Sequence, residues 1–303
     1  MVASERRLDL KLGFACNNRC LFCAQGEKRT ECSARPAADL LEELRRARPD
    51  ATGIVLTGGE PTLYKKLVPL VAVARRLGFR SVQLQTNGRL LAYPEILDAL
   101  LDAGVTEIAP SLHGPYAKIH DALTRAPGSF DETTRGIRNA LARSLPVVTN
   151  SVITCQNVDL LPGIIETLAS LGVRQAQLAF VHPVGTAFER FDDVVPDLPA
   201  VVLPVRWARE AARRHRMKLW TEAIPLCFLR GMQDLAVESI IPLTTVSDLN
   251  GRVDYSEWRV REGKAHGPPC RTCAVRMRCE GPWREYPERR GWREMQPFAE
   301  APA

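Results

Sequence analysis

Three cysteines lie close together near the start of the chain, in the run Cys16-Asn-Asn-Arg-Cys20-Leu-Phe-Cys23. Three thiolates within one loop can converge on one iron–sulfur cluster, and the loop holds no fourth cysteine. An iron without a protein thiolate keeps an open coordination position, where chemistry takes place. A structural zinc site favours four ligands in two close pairs, so this spacing predicts a cluster with one open iron.

A second group of cysteines lies near the other end of the chain. Cys270, Cys273 and Cys279 are close in sequence, and Cys227 could return to them as a fourth ligand. Four thiolates suit a second, auxiliary [4Fe–4S] cluster, and a structural zinc ion is the alternative.

The segments that must position the first cysteines alternate between short apolar runs and longer helical patterns. Strands are predicted over 8–14, 53–57, 81–86, 105–112, 147–154 and 175–181. Each is followed by a helical pattern, and six such units imply a parallel sheet in an α/β protein. Sites in such folds lie at the carboxyl ends of strands, where the triplet falls. Periodicity does not decide between an open sheet and a partial barrel.

The C-x3-C-x2-C triplet after a first strand, with Gly58-Gly59-Glu60-Pro61 after the second, resembles the radical S-adenosylmethionine (SAM) superfamily. The resemblance covers roughly residues 8–215 and implies a partial (β/α)6 TIM-like barrel. It implies that the triplet binds three irons of a [4Fe–4S] cluster and that SAM chelates the fourth. Reductive cleavage of SAM would give methionine and a 5′-deoxyadenosyl radical, which abstracts hydrogen from a substrate.

The same resemblance implies which residues bind SAM. They are Phe22, Gly58, Gly59, Glu60, Pro61, Thr86, Asn87, Ser111, Arg125, Asn150 and His182. Glu60 would bind the amino group, Ser111 the ribose or carboxylate, and Arg125 the carboxylate. Phe22 and His182 would lie near the adenine. Simpler explanations stay open, since Asn87 could serve a turn and Arg125 could pair with a surface carboxylate.

The cysteine-rich end resembles the SPASM and Twitch extensions of this superfamily. A full SPASM pattern holds seven cysteines, whereas four follow residue 216 here, and Trp283 takes the place of a further one. We therefore expect one auxiliary cluster and two regions, residues 1–216 and 217–303. Cys32 and Cys155 are left over. Cys155 follows the fifth strand and could donate a hydrogen atom to a substrate radical, although lone cysteines are more often buried hydrophobes.

Composition narrows the remaining possibilities. The 303 residues carry a net charge of +6, and the late run of arginines is more simply explained as a solvated surface than as a nucleic-acid groove. No run of about 18 apolar residues predicts a membrane span, and the first residues do not resemble a secretory leader. We therefore expect a cytoplasmic protein.

Several functions fit these features. The first hypothesis is an oxidoreductase acting on a peptide or small metabolite, with peptide maturation slightly ahead. A peptide-recognition domain does not precede Cys16, so a separate protein would supply it, and a flavodoxin- or ferredoxin-like protein would supply electrons. The second hypothesis, suggested by the basic tail, is modification of RNA or a nucleotide. The non-enzyme alternative is a binding protein braced by structural zinc.

Overall fold

A computed structural model describes residues 6–31 and 34–301, so Cys32 lies outside the described residues. The described strands are β1 (Arg6–Lys11), β2 (Gly53–Thr57), β3 (Ser81–Thr86), β4 (Glu107–Pro110), β5 (Val148–Ile153), β6 (Gln175–Phe180), β7 (Lys218–Glu222), β8 (Leu243–Asp248) and β9 (Gly251–Asp254).

These strands form two sheets that meet along one seam. The larger sheet has the order β4-β3-β2-β1-β8-β9, and the smaller has the order β5-β6-β7. All neighbours are parallel except the β8–β9 hairpin. Single bridges from Ile108 to Val147 and from Ser111 to Asn150 connect β4 with β5. The result is an open partial barrel in an α/β fold, as the sequence predicts.

The helices follow the strands in the expected alternation. They are α1 (Lys28–Glu31), α2 (Ala37–Ala47), α3 (Leu67–Arg76), α4 (Pro94–Ala103), α5 (Ala117–Thr124), α6 (Ser129–Ala142), α7 (Leu161–Ser170), α8 (Thr186–Glu189), α9 (Phe191–Val194), α10 (Leu198–Arg214), α11 (Tyr255–Trp258) and α12 (Glu285–Arg290). The bounds of α4 follow from local chemistry, because Pro94 presets its first turn and Gly104 takes the left-handed conformation that ends it. None of the described helices is both long and apolar enough to cross a bilayer.

Strands β1 and β3 each have one apolar and one polar face, whereas β2 is buried along its whole length. Leu8 and Leu10 of β1 are fully buried in the hydrophobic core. Arg7, Asp9 and Lys11, which alternate with them, point into the barrel, where they line a cavity. Successive side chains of a strand point to opposite faces. This alternation therefore places apolar side chains under the helices and polar side chains inside the barrel.

Three strands beyond residue 216 differ from the sequence expectation, which placed no strand–helix repeat there. β7 pairs with β6, and β8 pairs with β1, so both extend the barrel sheets. Their sequences are short and polar on one face, and a parallel pairing over a long separation leaves no local signal. The division into residues 1–216 and 217–303 stays a prediction.

Candidate active site

The three early cysteines line one cavity of about 360 Å³ at the carboxyl ends of the strands. Their loop is fixed against the end of α5 by two backbone hydrogen bonds, from Arg19 N to Thr124 O (2.8 Å) and from Leu21 N to Leu123 O (2.9 Å). A loop held in this way presents Cys16, Cys20 and Cys23 to the cavity without needing a ligand to organise it.

The cavity is a poor place for three free thiolates. Burial raises the pKa of both Cys16 and Cys20, and the neighbouring thiols raise it further, while Arg29 lowers it. Arg29 donates hydrogen bonds to Gly26 O (3.1 Å) and Asn18 O (3.2 Å) beside the thiols. Bound iron would neutralise these thiolates, so the donor set fits an iron–sulfur cluster. The sequence analysis did not identify Arg29. The signal that could have identified it is a basic residue shortly after the cysteine triplet.

Two glycines press the end of β2 against the cysteine loop. A Cβ on Gly58 would lie 2.1 Å from Gly13 O, and one on Gly59 would lie 2.3 Å from Phe14 O. Gly58 also has a φ of 128°, which favours glycine. Gly59 N donates to Gly13 O at 2.9 Å. Both glycines line the cavity, so the two strand ends form one continuous wall.

Glu60 is engaged by the protein itself. Its buried carboxylate accepts hydrogen bonds from Thr62 N (3.0 Å), Thr86 Oγ1 (2.6 Å) and Asn87 N (2.6 Å). Burial raises its pKa, and these hydrogen bonds oppose that shift. Glu60 and Pro61 line a separate small recess with Tyr64. This geometry ties the end of β2 to the end of β3, and binding of the SAM amino group by Glu60 stays a prediction.

Several other predicted residues do meet in the cavity with the thiols. They are Phe22, Thr86, Asn87, Ser111, Asn150 and His182. Asn87 Nδ2 donates to Asn17 Oδ1 at 2.6 Å, beside Cys16. Asn150 Oδ1 is buried and has no hydrogen-bond partner among the described residues, whereas His182 Nε2 lies 3.6 Å from Glu285 Oε2. Since buried polar atoms are rarely left unpaired, Asn150 fits a contact to a bound ligand such as SAM.

Two predicted residues lie elsewhere. Arg125 is exposed at the end of α5, where its φ is 52°. Cys155 is exposed on the turn after β5, where its amide donates to Val194 O, and its charged neighbours include Arg290 and Asp197. Neither lines the cavity that holds the thiols. Their roles in SAM binding and hydrogen donation stay predictions, and these positions give those roles no support.

A larger cavity of about 540 Å³ occupies the barrel interior below the first. The two cavities share the side chains of Lys11, Asn150, His182, Glu222 and Tyr255. Glu222 ends β7 and accepts a hydrogen bond from Gln177 Nε2. Burial and the nearby carboxylate of Glu238 raise its pKa. A carboxyl group that stays protonated to higher pH can donate as well as accept a hydrogen bond.

The interior cavity combines amides, cations and aromatic rings. Its lining includes Gln83, Gln85, Gln177, Arg7, Arg259, Trp220 and Trp258. Arg259 is buried, where it donates to Glu280 Oε1 at 2.7 Å and its Nε has no partner in the described chain. The sequence interpretation missed this lining. The sequence signal for this lining is the alternation of polar and apolar residues along β1, β3 and β6. The same alternation is equally typical of a strand with one face exposed to solvent.

The late cysteines also converge. Cys227, Cys270, Cys273 and Cys279 line one narrow cavity. The amide of Gly281 donates to Cys279 Sγ, and that of Phe298 to Cys273 Sγ, both at 3.4 Å. Burial raises the pKa of Cys227 to about 11. In residues 6–31 and 34–301, no three His, Cys, Asp or Glu side chains are spaced to share a single metal ion. In a cluster each thiolate binds a different iron.

Trp283 connects the two thiol sites. It lies four residues after Cys279 and lines the cavity of the early cysteines. Its ring stacks on His182 with 3.7 Å between centroids, and Lys264 Nζ lies 4.0 Å from its centre. The buried Lys264 has a lowered pKa because it is desolvated. The tryptophan at the position of a missing cysteine therefore joins the C-terminal region to the wall of the first cavity.

Comparisons with known proteins agree with this geometry. Residues 10–171 match the Radical SAM superfamily. A probable GTP 3′,8-cyclase of Saccharolobus islandicus is 33% identical over 192 residues, which are 62% of this chain and 61% of that protein. A probable GTP 3′,8-cyclase of Methanopyrus kandleri is 35% identical over 185 residues, 60% of this chain and 58% of that protein. The matches thus span about three fifths of these relatives' length.

Solved structures show the same fold at low sequence identity. Streptococcus suis SuiB bound to S-adenosylmethionine has a TM-score of 0.69 and 16% identity, over 92% of this chain and 73% of that one. The structure of anSMEcpe with bound AdoMet has a TM-score of 0.57 and 16% identity, over 71% of this chain and 61% of that one. At this identity the likeness concerns the fold alone.

Proposed function

This chain belongs to the radical SAM superfamily of iron–sulfur enzymes, and we propose that it modifies a small polar substrate held in the barrel cavity, with a nucleotide favoured. The observation that carries the proposal is that the interior cavity adjoins the cavity of the three thiols and shares lining residues with it. A zinc-braced binding protein is set aside, because the family consists of enzymes. Members of the family need SAM, a [4Fe–4S] cluster and an external reductant.

We assign each side chain a part in that reaction. Cys16, Cys20 and Cys23 hold the cluster, and Gly58 and Gly59 let the end of β2 approach the cysteine loop beside it. Asn87 and Ser111 position SAM from the strand ends, the unpaired Asn150 Oδ1 hydrogen-bonds to it, and His182 lies near its adenine. When bound, the cluster and SAM supply the 5′-deoxyadenosyl radical that abstracts hydrogen from the substrate.

The barrel lining favours a nucleotide over a peptide. Trp220 and Trp258 offer rings on which a base can stack, and Arg7 and Arg259 offer cations for an anionic group. Amide side chains such as Gln83 can recognise base edges. The similarity to probable GTP 3′,8-cyclases, which are named for a nucleotide substrate, points the same way. Peptide maturation, favoured slightly by the sequence, stays a prediction, because the likeness to SuiB carries the fold alone.

We also propose that Cys227, Cys270, Cys273 and Cys279 hold an auxiliary [4Fe–4S] cluster. Their shared cavity and the amide hydrogen bonds to two of the sulfurs support it. On this basis residues 1–216 carry the SAM site and residues 217–303 carry the auxiliary site, in the manner of a Twitch extension. A cytoplasmic location, with its low-potential electron carriers, suits both clusters.

Iron and sulfide analysis tests the two cluster sites. After anaerobic reconstitution, the wild type should hold about eight irons and a Cys16, Cys20, Cys23→Ala variant about four. Only the wild type should release 5′-deoxyadenosine with dithionite. A wild type with about four irons would remove the auxiliary cluster, and absence of both iron and SAM cleavage would overturn the proposed enzyme.

GTP is the first substrate probe. The expected result is that GTP increases 5′-deoxyadenosine release and that deuterium from ribose-deuterated GTP enters the deoxyadenosine. Trp220→Ala should weaken GTP binding, while SAM cleavage measured without GTP should persist. If GTP leaves SAM cleavage unchanged but deuterium is transferred from another nucleotide, the substrate is a nucleotide other than GTP. Failure of every nucleotide tested would overturn the class.

A further inference from the structure

We propose that the surface loop around the late cysteines is the docking site for a small acidic electron-transfer protein. The proposal rests on the auxiliary cluster proposed above. The loop runs from Cys270 to Cys279 and presents Arg271, Arg276, Met277 and Arg278 to solvent. We call these four side chains the arginine face. The sequence analysis expected only a solvated surface in this region, so the proposal assigns it an additional role.

The charge of the arginine face is uncompensated. Some exposed arginines elsewhere have an acidic neighbour, as in the pairs of Arg46 with Glu42 and Arg261 with Glu257, while others such as Arg135 and Arg138 stand apart on helix faces. Within the described residues, the guanidinium groups of Arg271, Arg276 and Arg278 form no ion pair. Such free cations attract an acidic partner and accelerate its association.

An apolar side chain stands among these cations. Met277 is 95% exposed, far more than the other large hydrophobic side chains that reach solvent, such as Ile240 at 56%. A flexible thioether ringed by charges matches an interface with an apolar centre and a polar rim. Electron-transfer interfaces are small, so one loop can supply most of the contact.

The arginine face lies directly over the auxiliary site. Short helical turns at Pro268–Thr272 and Arg276–Arg278 carry both the arginines and the thiols, and Arg276 itself lines the thiol cavity. A carrier bound there would deliver its electron across one layer of backbone. Each encounter moves one electron and no atom: the carrier is oxidised by one electron, and the auxiliary site is reduced by one.

The chain also provides a short way onward. Cys279 lines the auxiliary cavity and Trp283 lines the cavity of the early thiols. Four residues span at most about 14 Å. With clusters bound at both sites, the auxiliary site would pass the electron to the SAM site and so return to its oxidised state. A competing access point exists on the early cysteine loop, where Arg19 and Lys28 are exposed.

The test compares three charge-reversal variants of the reconstituted holoenzyme. The first carries Arg271→Glu and Arg278→Glu, and the second carries Arg19→Glu and Lys28→Glu. The control carries Arg135→Glu and Arg138→Glu, which changes the net charge as much as the first and lies on exposed helix positions. Binding of flavodoxin is measured by calorimetry, and 5′-deoxyadenosine release is driven either by reduced flavodoxin or by dithionite.

We expect the first variant to bind flavodoxin about tenfold or more weakly, with a flatter salt dependence. Its flavodoxin-driven release should fall likewise, while dithionite-driven release and iron content stay at the wild-type level. Glutamine at Arg271 and Arg278 should give a smaller loss in the same direction. Unchanged flavodoxin binding, or a loss confined to the second variant, would overturn the proposal. Loss of dithionite-driven release in the wild type would instead count against the proposed function, and the binding data would still decide the docking site.

Discussion

At the scale of single residues, Glu60 illustrates how a motif can serve structure within a site. Its two oxygens join the segments after β2 and β3 through Thr62, Thr86 and Asn87. Replacement by glutamine puts an amide NH2 where the surrounding groups are all donors. A buried donor that faces other donors loses its hydrogen bond and also carries a desolvation penalty. It therefore destabilises the fold by more than the free energy of the lost hydrogen bond.

We expect Glu60→Gln to lower the free energy of unfolding by about 2–3 kcal/mol. Anaerobic urea denaturation measures the change. Glu42→Gln, on the exposed face of α2, serves as the control, because its ion pair with Arg46 is solvated. Equal stability of the two variants would mean that the carboxylate of Glu60 does not hold the strand ends together.

Glu222 gives a prediction that depends on pH. Its pKa is raised in the folded protein by burial and by Glu238, so folding favours the protonated form. The resulting stabilisation is present at low pH and is lost as the pH rises through the folded pKa. The stability of the wild type relative to that of Glu222→Gln should therefore fall as the pH rises above 4.5, the ordinary pKa of a glutamate.

Urea midpoints of the two proteins at several pH values measure this difference. The exposed Glu95→Gln on α4 is the control, and its difference from the wild type should not follow the same trend. A constant difference for Glu222→Gln would show that its carboxyl group ionises alike in the folded and unfolded chain.

At the scale of elements, the close approach of the β2 end to the cysteine loop depends on Gly58. Alanine there would place its Cβ 2.1 Å from Gly13 O. Gly128, before α6, also has a positive φ, yet a Cβ on it meets no described atom within 4 Å. The two glycines thus share backbone strain but differ in available space.

We expect Gly58→Ala to cost about 3 kcal/mol or more and to lower the iron bound after reconstitution, because the cysteine loop must move. Gly128→Ala should cost only about 1–2 kcal/mol, the strain of a left-handed alanine. Thermal unfolding and iron content measure both variants. Similar losses in the two would mean that strain, and not the contact with Gly13, fixes Gly58.

The sequence predicts elements best where apolar periodicity and glycine or proline punctuation agree. The bounds of β2 and β3 match the predicted ranges 53–57 and 81–86 residue for residue, because Gly58 and Asn87 mark where they end. β7 and β8 were missed because their stability comes from partners far away in the chain.

Site prediction has the same physical limit. The thiols and glycines reveal themselves through spacing, and they do converge. Glu222 reaches the cavities through tertiary structure, and no local pattern marks it. The interior polar face of β1 needed the closure of the barrel before its charged residues could be recognised as a lining.

At the scale of the whole molecule, the C-terminal region completes the barrel sheets. Removing it would expose the edges of β6 and β1, together with core that Tyr286 covers. The Tyr286 hydroxyl accepts from Leu198 N at 2.8 Å, which fixes the C-terminal segment to the start of α10. Unpaired strand edges and exposed core favour aggregation.

A chain truncated after Arg216 should therefore be insoluble or unfolded, as solubility and circular dichroism would report. A full-length Cys270, Cys273, Cys279→Ala variant should remain soluble, because it keeps β7 and β8. A soluble, folded truncation would instead show that residues 1–216 form an independent unit, with the later strands as additions to it.

The wall common to the two cavities has a thermodynamic consequence. Lys11, Asn150, His182 and Glu222 belong to both, so a ligand that orders these side chains from one cavity alters the surface met by a ligand in the other. Linkage requires the effect to be mutual: the factor by which SAM changes the substrate's dissociation constant equals the factor by which the substrate changes that of SAM. Binding of a ligand in one cavity can thus change the affinity for a ligand in the other cavity through side chains alone.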